Sequence, residues 1–96
     1  MVAAICHFDL HLLDKPDSLK AKRHVVKHLR ERIATRLSVS VSEVGSQDLL
    51  HRAELGVAMV GAEQEILEGL VDRIRRMIEG DGTVEVLDSF VDYHRY

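Results

Sequence analysis

The stretch Val2-Ala3-Ala4-Ile5-Cys6-His7-Phe8-Asp9-Leu10-His11-Leu12-Leu13 decides the reading of the whole chain. Val2, Ala4, Cys6, Phe8, Leu10 and Leu12 share one side, and Ala3, Ile5, His7, Asp9 and His11 the other. A period of two with one apolar side predicts a half-buried strand. The turn Asp14-Lys15-Pro16-Asp17 follows, then Ser18 as a helix N-cap. Leu19, Val25, Val26, Leu29, Ile33 and Leu37 then recur at helical spacing, predicting a long amphipathic helix that exposes its Lys and Arg side chains.

Further along, Ser38 to Ser42 and Arg52 to Val60 alternate again, predicting second and third strands joined by a loop containing Gly45. A second helix is expected over Glu63 to Glu79, with Ile66, Leu67, Leu70, Ile74, Met77 and Ile78 on its buried stripe. Its acids come early and its arginines late, in agreement with the helix dipole, and Gly80 follows. Asp81-Gly82 turns into a fourth strand running from Thr83 to Tyr93, whose alternation slips near Asp88 and predicts a bulge. The order βαββαβ with two amphipathic helices predicts an α+β, ferredoxin-like sandwich: a four-stranded antiparallel sheet with two helices on one face. The other face is then open, with Ile5, His7, Asp9, His11, Arg52, Glu54 and Ala58 at its exposed centre.

At 96 residues, 46% of them apolar and 30% charged, the chain is expected to form a single domain over 1–96 with its own core. No run approaches the ~18 apolar residues of a membrane span, and the opening residues lack a secretory leader, so a cytoplasmic protein without a membrane partner is expected. Cys6 is the only cysteine, which excludes an internal disulfide, and its place on the apolar side predicts a small buried hydrophobe.

Charge is unevenly placed. From Lys15 to Arg36 eight basic residues stand against two acids, whereas the rest of the chain holds five basic and fourteen acidic side chains. Lys20, Lys22 and Arg23 fall in the first helical turn, where the dipole favours acids. A phosphate bound there would meet Ser18, the free amides and these cations together, with Lys27 and Arg30 extending the positive surface. The plainer reading is a solvated basic face, and a sequence pI near 6.0 is low for a dedicated nucleic-acid domain.

Three other groups carry candidate chemistry. His7, Asp9 and His11 project from one side of the first strand at ~6.8 Å spacing. They are weak metal candidates, because His7 and His11 are too far apart to share an ion without another strand. The connection Val44 to His51 is long for a hairpin, and within it Gln47, Asp48, Leu50 and Arg52 form a candidate partner loop; Leu49 and Leu50 either fold onto the core or anchor a partner. Ile5, Leu87, Val91 and Tyr93, on or near the open face, suggest self-association. The exposed centre as read has no Phe, Tyr or Trp to stack bases, which argues against RRM-like binding of single strands. No nucleophile paired with a base and no Gly-rich phosphate loop occurs, so no catalytic residue, cofactor or resident metal is expected.

The runs Ser18-Leu19-Lys20-Ala21-Lys22-Arg23 and Gln47-Asp48-Leu49-Leu50-His51-Arg52-Ala53-Glu54-Leu55-Gly56-Val57-Ala58 resemble the YlxP-like family of small bacterial proteins, a domain of unknown function. Where members often carry a bulky aromatic, this chain has Leu50. The resemblance implies a ferredoxin-like fold, no established catalytic residues, and a role near ribosomal RNA, because members often lie beside genes for translation initiation and ribosome maturation factors. The expectation is therefore a non-enzymatic factor whose partner is ribosomal RNA or a ribosomal subunit, not DNA. Ser18, Lys20, Lys22, Arg23, Lys27 and Arg30 would hold phosphates. The alternative is a homo-oligomeric module taking a small ligand or metal on the open sheet face through His7, Asp9 and His11.

Overall fold

The alternating stretch is the second strand in from one edge of the sheet in the computed structural model, which describes residues Met1–Tyr96. The elements run β1 (Val2–Leu12), α1 (Leu19–Leu37), β2 (Ser40–Gly45), β3 (Arg52–Gly61), α2 (Gln64–Glu79) and β4 (Val84–Arg95). The strands form one antiparallel sheet in the order β2-β3-β1-β4. The helices cover the side to which β1 turns Val2, Ala4, Cys6, Phe8, Leu10 and Leu12, all buried. Against these pack Val26, Leu29, Ile33 and Leu37 from α1, Leu67, Val71, Ile74 and Ile78 from α2, and Ala53, Leu55, Val57 and Met59 from β3. This is the ferredoxin-like sandwich that the element order predicts. Phe8 is among the largest fully buried side chains, and its truncation to Ala is worth about 3–5 kcal/mol. No helix is long and apolar enough to cross a membrane.

Local chemistry sets the element ends. Ser18 caps α1, its Oγ accepting from the Ala21 amide at 3.1 Å. At the other end Ser38 adopts a left-handed conformation, φ 53°, and its N–H closes on the Ala34 carbonyl at 3.0 Å. That cap delays β2 to Ser40, two residues later than the alternation suggests, and β2 then reaches Gly45. The β2–β3 connection is therefore six residues, Ser46 to His51. The helices run antiparallel: Arg32 of α1 bonds Asp81 just beyond the end of α2, and Arg36, one turn later, lies beside Arg73 and Arg76.

The slip in β4 is a bulge. Asp9 pairs with Asp88 but Leu10 with Val86, so Leu87 is the extra residue and the side-chain parity reverses beyond it. Val84 and Val86 face the helices before the bulge, and Val91 and Tyr93 do so after it, all four packed on or within the core. This corrects the expectation that Val91 and Tyr93 line the open face. Phe90 stands there instead, 54% exposed and opposite His7.

Candidate nucleic-acid interface

Along α1, Lys20, Arg23, Lys27 and Arg30 follow one another at spacings of three, four and three, which lines them on one outward stripe. Lys20, Arg23 and Lys27 are exposed and Arg30 is half-buried. Lys27 makes a loose pair with Glu31 at 3.9 Å; Lys20, Arg23 and Arg30 have no ion-pair partner in the chain. The first turn contains no acid to offset them. Arg23, Lys27 and Arg30 also wall a shallow hollow of about 210 Å³ between α1 and Glu43 of β2.

Lys22 does not belong to this surface, which corrects its expected role as a phosphate contact. Only 1% of it is exposed. Its Nζ donates to the Ser46 carbonyl at 2.5 Å and the Gln47 carbonyl at 3.3 Å, and lies 3.4 Å from Glu43 Oε2. The reason is positional: Lys22 sits four residues before Val26 and seven before Leu29, on the buried stripe. The helix period carried that signal, and the basic side chain obscured it. Ser18 also has structural work, since its Oγ is occupied by the Ala21 amide.

The β2–β3 loop is gripped from both sides of the sheet. Lys22 holds its carbonyls from the helix layer, while Ser46 Oγ donates to Glu54 Oε2 at 2.7 Å on the open face. Ser46 itself adopts φ 57°. A Cβ on Gly45 would press on the Glu54 carboxylate, so a larger residue there would have to displace that side chain from Ser46 and His7. The second Glu54 oxygen accepts from His7 Nε2 at 2.9 Å. The Ser46 hydroxyl, and next the His7 bond, hold the Glu54 carboxyl below the usual carboxylate range. Of the candidate partner residues, Gln47 and Asp48 are exposed, Leu50 is half-buried and Arg52 is drawn onto the sheet; Leu49 is exposed, and neither leucine joins the core.

On the open face the central charges of β1 and β3 have partners, whereas Asp88 and Asp92 of β4 make no ion pair. Asp9 and Glu54 stand directly opposite each other across β1 and β3, an arrangement that repels unless neutralised. Each carboxylate is met from a diagonal: His7 bonds Glu54, and Arg52 Nη2 donates to Asp9 Oδ2 at 2.7 Å. That hydrogen bond to Asp9 raises the Arg52 pKa further. His11 lies 3.8 Å from Glu85 on β4. His7, Asp9 and His11 are thus each engaged by a different side chain, and no three His, Cys, Asp or Glu groups converge at metal-binding distance. The His7 ring stacks on Phe90, with centroids 5.2 Å apart and planes 7° from parallel. The predicted face lacked this aromatic because the bulge that turns Phe90 outward shows in the sequence only as a slip. Asp9, Glu54, Glu85, Asp88 and Asp92 outnumber the single Arg52 there, so this face is acidic where α1 is basic. Cys6 is buried, and burial pushes its thiol pKa up, away from nucleophilic character.

Residues 3–90 match the family model described as protein of unknown function (DUF503). The chain belongs to the DUF503 family. It is 34% identical over 68 residues to the uncharacterized protein YlxP of Bacillus subtilis (strain 168), a match that covers 71% of this chain and 74% of that one. Two designed proteins share the fold at a TM-score of 0.58 each. Foldit4 is 21% identical over 99% of this chain and 97% of its own. LFR1 1, a design with ferredoxin fold solved in solution by NMR, is 10% identical over 98% of this chain and 84% of its own. At these identities the designs speak to architecture alone. Within the DUF503 match lie the whole α1 stripe, the gripped loop and Phe90.

Proposed function

We propose that this DUF503 protein is a non-enzymatic binder of structured RNA, with ribosomal RNA or a ribosomal subunit as the partner, and that α1 makes the contact. The observation that carries the reading is the outward stripe of Lys20, Arg23, Lys27 and Arg30, three of them without an internal partner. A helix that exposes unpaired cations along roughly 15 Å, at 1.5 Å per residue, can follow successive backbone phosphates. The acidic open face supports the same assignment by exclusion, since it would repel a polyanion. Phe90 sits on an edge strand beside carboxylates, a poor setting for stacking single-stranded bases.

Binding of the full chain to ribosomal subunits and to structured ribosomal RNA over a salt series tests this. Four phosphate contacts contribute roughly −3 to −3.5 to the log–log salt slope. The variant K20E/R23E/K27E should remove two to three units of it. Lys22 stays unchanged, because a carboxylate at that buried position would damage the fold and mimic loss of binding. No binding by the wild type at low salt, or equal binding by the variant, refutes the proposal and directs attention to the open sheet face and its self-association.

A further inference from the structure

We infer that Arg36, Arg73 and Arg76 form a phosphoryl-group site where the C-terminal halves of α1 and α2 meet. With Met77 they line a shallow hollow of about 330 Å³. None of the three makes an ion pair or a hydrogen bond within the chain. Their neighbours do: Arg32, one turn before Arg36, bonds Asp81 at 3.1 Å, and Arg75 bonds Ser89 Oγ at 3.2 Å. The fold therefore has acceptors within reach of adjacent arginines and leaves this trio without one.

Helix dipoles explain part of the arrangement. Arg36 and Arg76 each lie in the last turn of a helix, where a cation is favourable. That accounts for the two separately, but not for Arg73, which lies deeper in α2, nor for the meeting of three arginines around one hollow. Arg73 and Arg76 are three residues apart on one side of α2, a like-charge spacing that opposes helix stability. Arg36 adds a third positive charge from across the helix pair. An anion seated among them turns these repulsions into attractions. The planar guanidinium fork matches the oxygens of a phosphoryl group and can bind two at once, with Met77 as an apolar floor. The ligand is accordingly a phosphoryl group, supplied either by an RNA backbone or by a small phosphorylated molecule. In its RNA form the inference rests on the reading of α1 above and extends the footprint to the second helix.

The test uses the full chain, with the exposed pair Arg73 and Arg76 changed together in R73Q/R76Q. Inorganic pyrophosphate is titrated while the arginine Nε–H resonances are followed by NMR, and structured RNA is titrated over the same salt series as before. The site predicts that pyrophosphate moves the Arg36, Arg73 and Arg76 signals in the wild type and not that of Arg36 in R73Q/R76Q. It also predicts an RNA salt slope reduced by about 1.5 to 2 units in the variant, with a thermal melt no lower than that of the wild type. Pyrophosphate shifts with an unaltered RNA slope confirm the site and assign it to small phosphorylated ligands. If K20E/R23E/K27E weakens RNA binding while R73Q/R76Q changes neither readout, the inference is overturned and the α1 reading stands. If the wild type binds no RNA, the α1 reading fails and the pyrophosphate arm alone decides the site.

Discussion

The outer face of α1 and the open face of the sheet both carry many charged side chains, and they use them differently. On the sheet, Arg52 bonds Asp9 and His7 bonds Glu54, two diagonal pairs, and Ser46 ties the second of them to the loop. On α1, Lys20, Arg23 and Arg30 are answered by nothing in the chain. A satisfied charge is part of the fold, whereas an unsatisfied exposed one is available to a partner. Lys22 shows that the distinction cuts through a single helical turn. Lys20 and Arg23 face water, and Lys22 between them reaches inward to hold the β2–β3 loop.

The largest effect that sharpens this contrast concerns stability. Lys22→Ala strands Glu43 and two loop carbonyls, and should cost about 2–4 kcal/mol in urea denaturation. Lys20→Ala should stay within about 0.5 kcal/mol. Similar small losses for both would erase the contrast between inward and outward lysines. Next comes binding. K20E/R23E/K27E should lower affinity for structured RNA at least tenfold, about 1.4 kcal/mol, at moderate salt, with little change in its melting curve.

The sheet face should respond in the opposite sense. Phe90→Ala removes the stack on His7 and should cost about 0.5–1 kcal/mol of stability, with RNA affinity unaltered within twofold. A large affinity loss in this variant would place RNA on the wrong side of the molecule for this account. The smallest effect is in pH dependence. Because the folded Glu54 carboxyl is held below its ordinary value near 4.5, its contribution is complete above that pH and fades as the solution is acidified through the folded value. Glu54→Gln should therefore show a shallower loss of stability between about pH 5 and 3 than the wild type. Identical acid profiles would mean that the Ser46 and His7 bonds do not favour the ionised form.

The fold was legible because three segments kept a clean period of two and two kept a helical stripe, and βαββαβ order admits few sandwiches. What escaped the sequence reading had local causes. The Ser38 cap is a left-handed residue with an unremarkable side chain, so the start of β2 could not be placed closely. The bulge at Leu87 was legible as a slip, but a one-residue uncertainty in its position decides whether Phe90 or Val91 faces outward. At Lys22 the charge speaks for exposure, whereas the place among Val26, Leu29 and Ile33 speaks for burial. The trio Arg36, Arg73 and Arg76 depends on how two helices are staggered, which no spacing within either helix reveals.

The most direct measurement of the central claim is amide NMR mapping of the full chain titrated with structured ribosomal RNA at low and then moderate salt. Contact through α1 predicts perturbations concentrated from Lys20 to Arg30, weakening as salt rises, while Ile5, His7 and Phe90 on the open sheet face stay in place. Perturbations centred on that sheet face, or none at low salt, would contradict it.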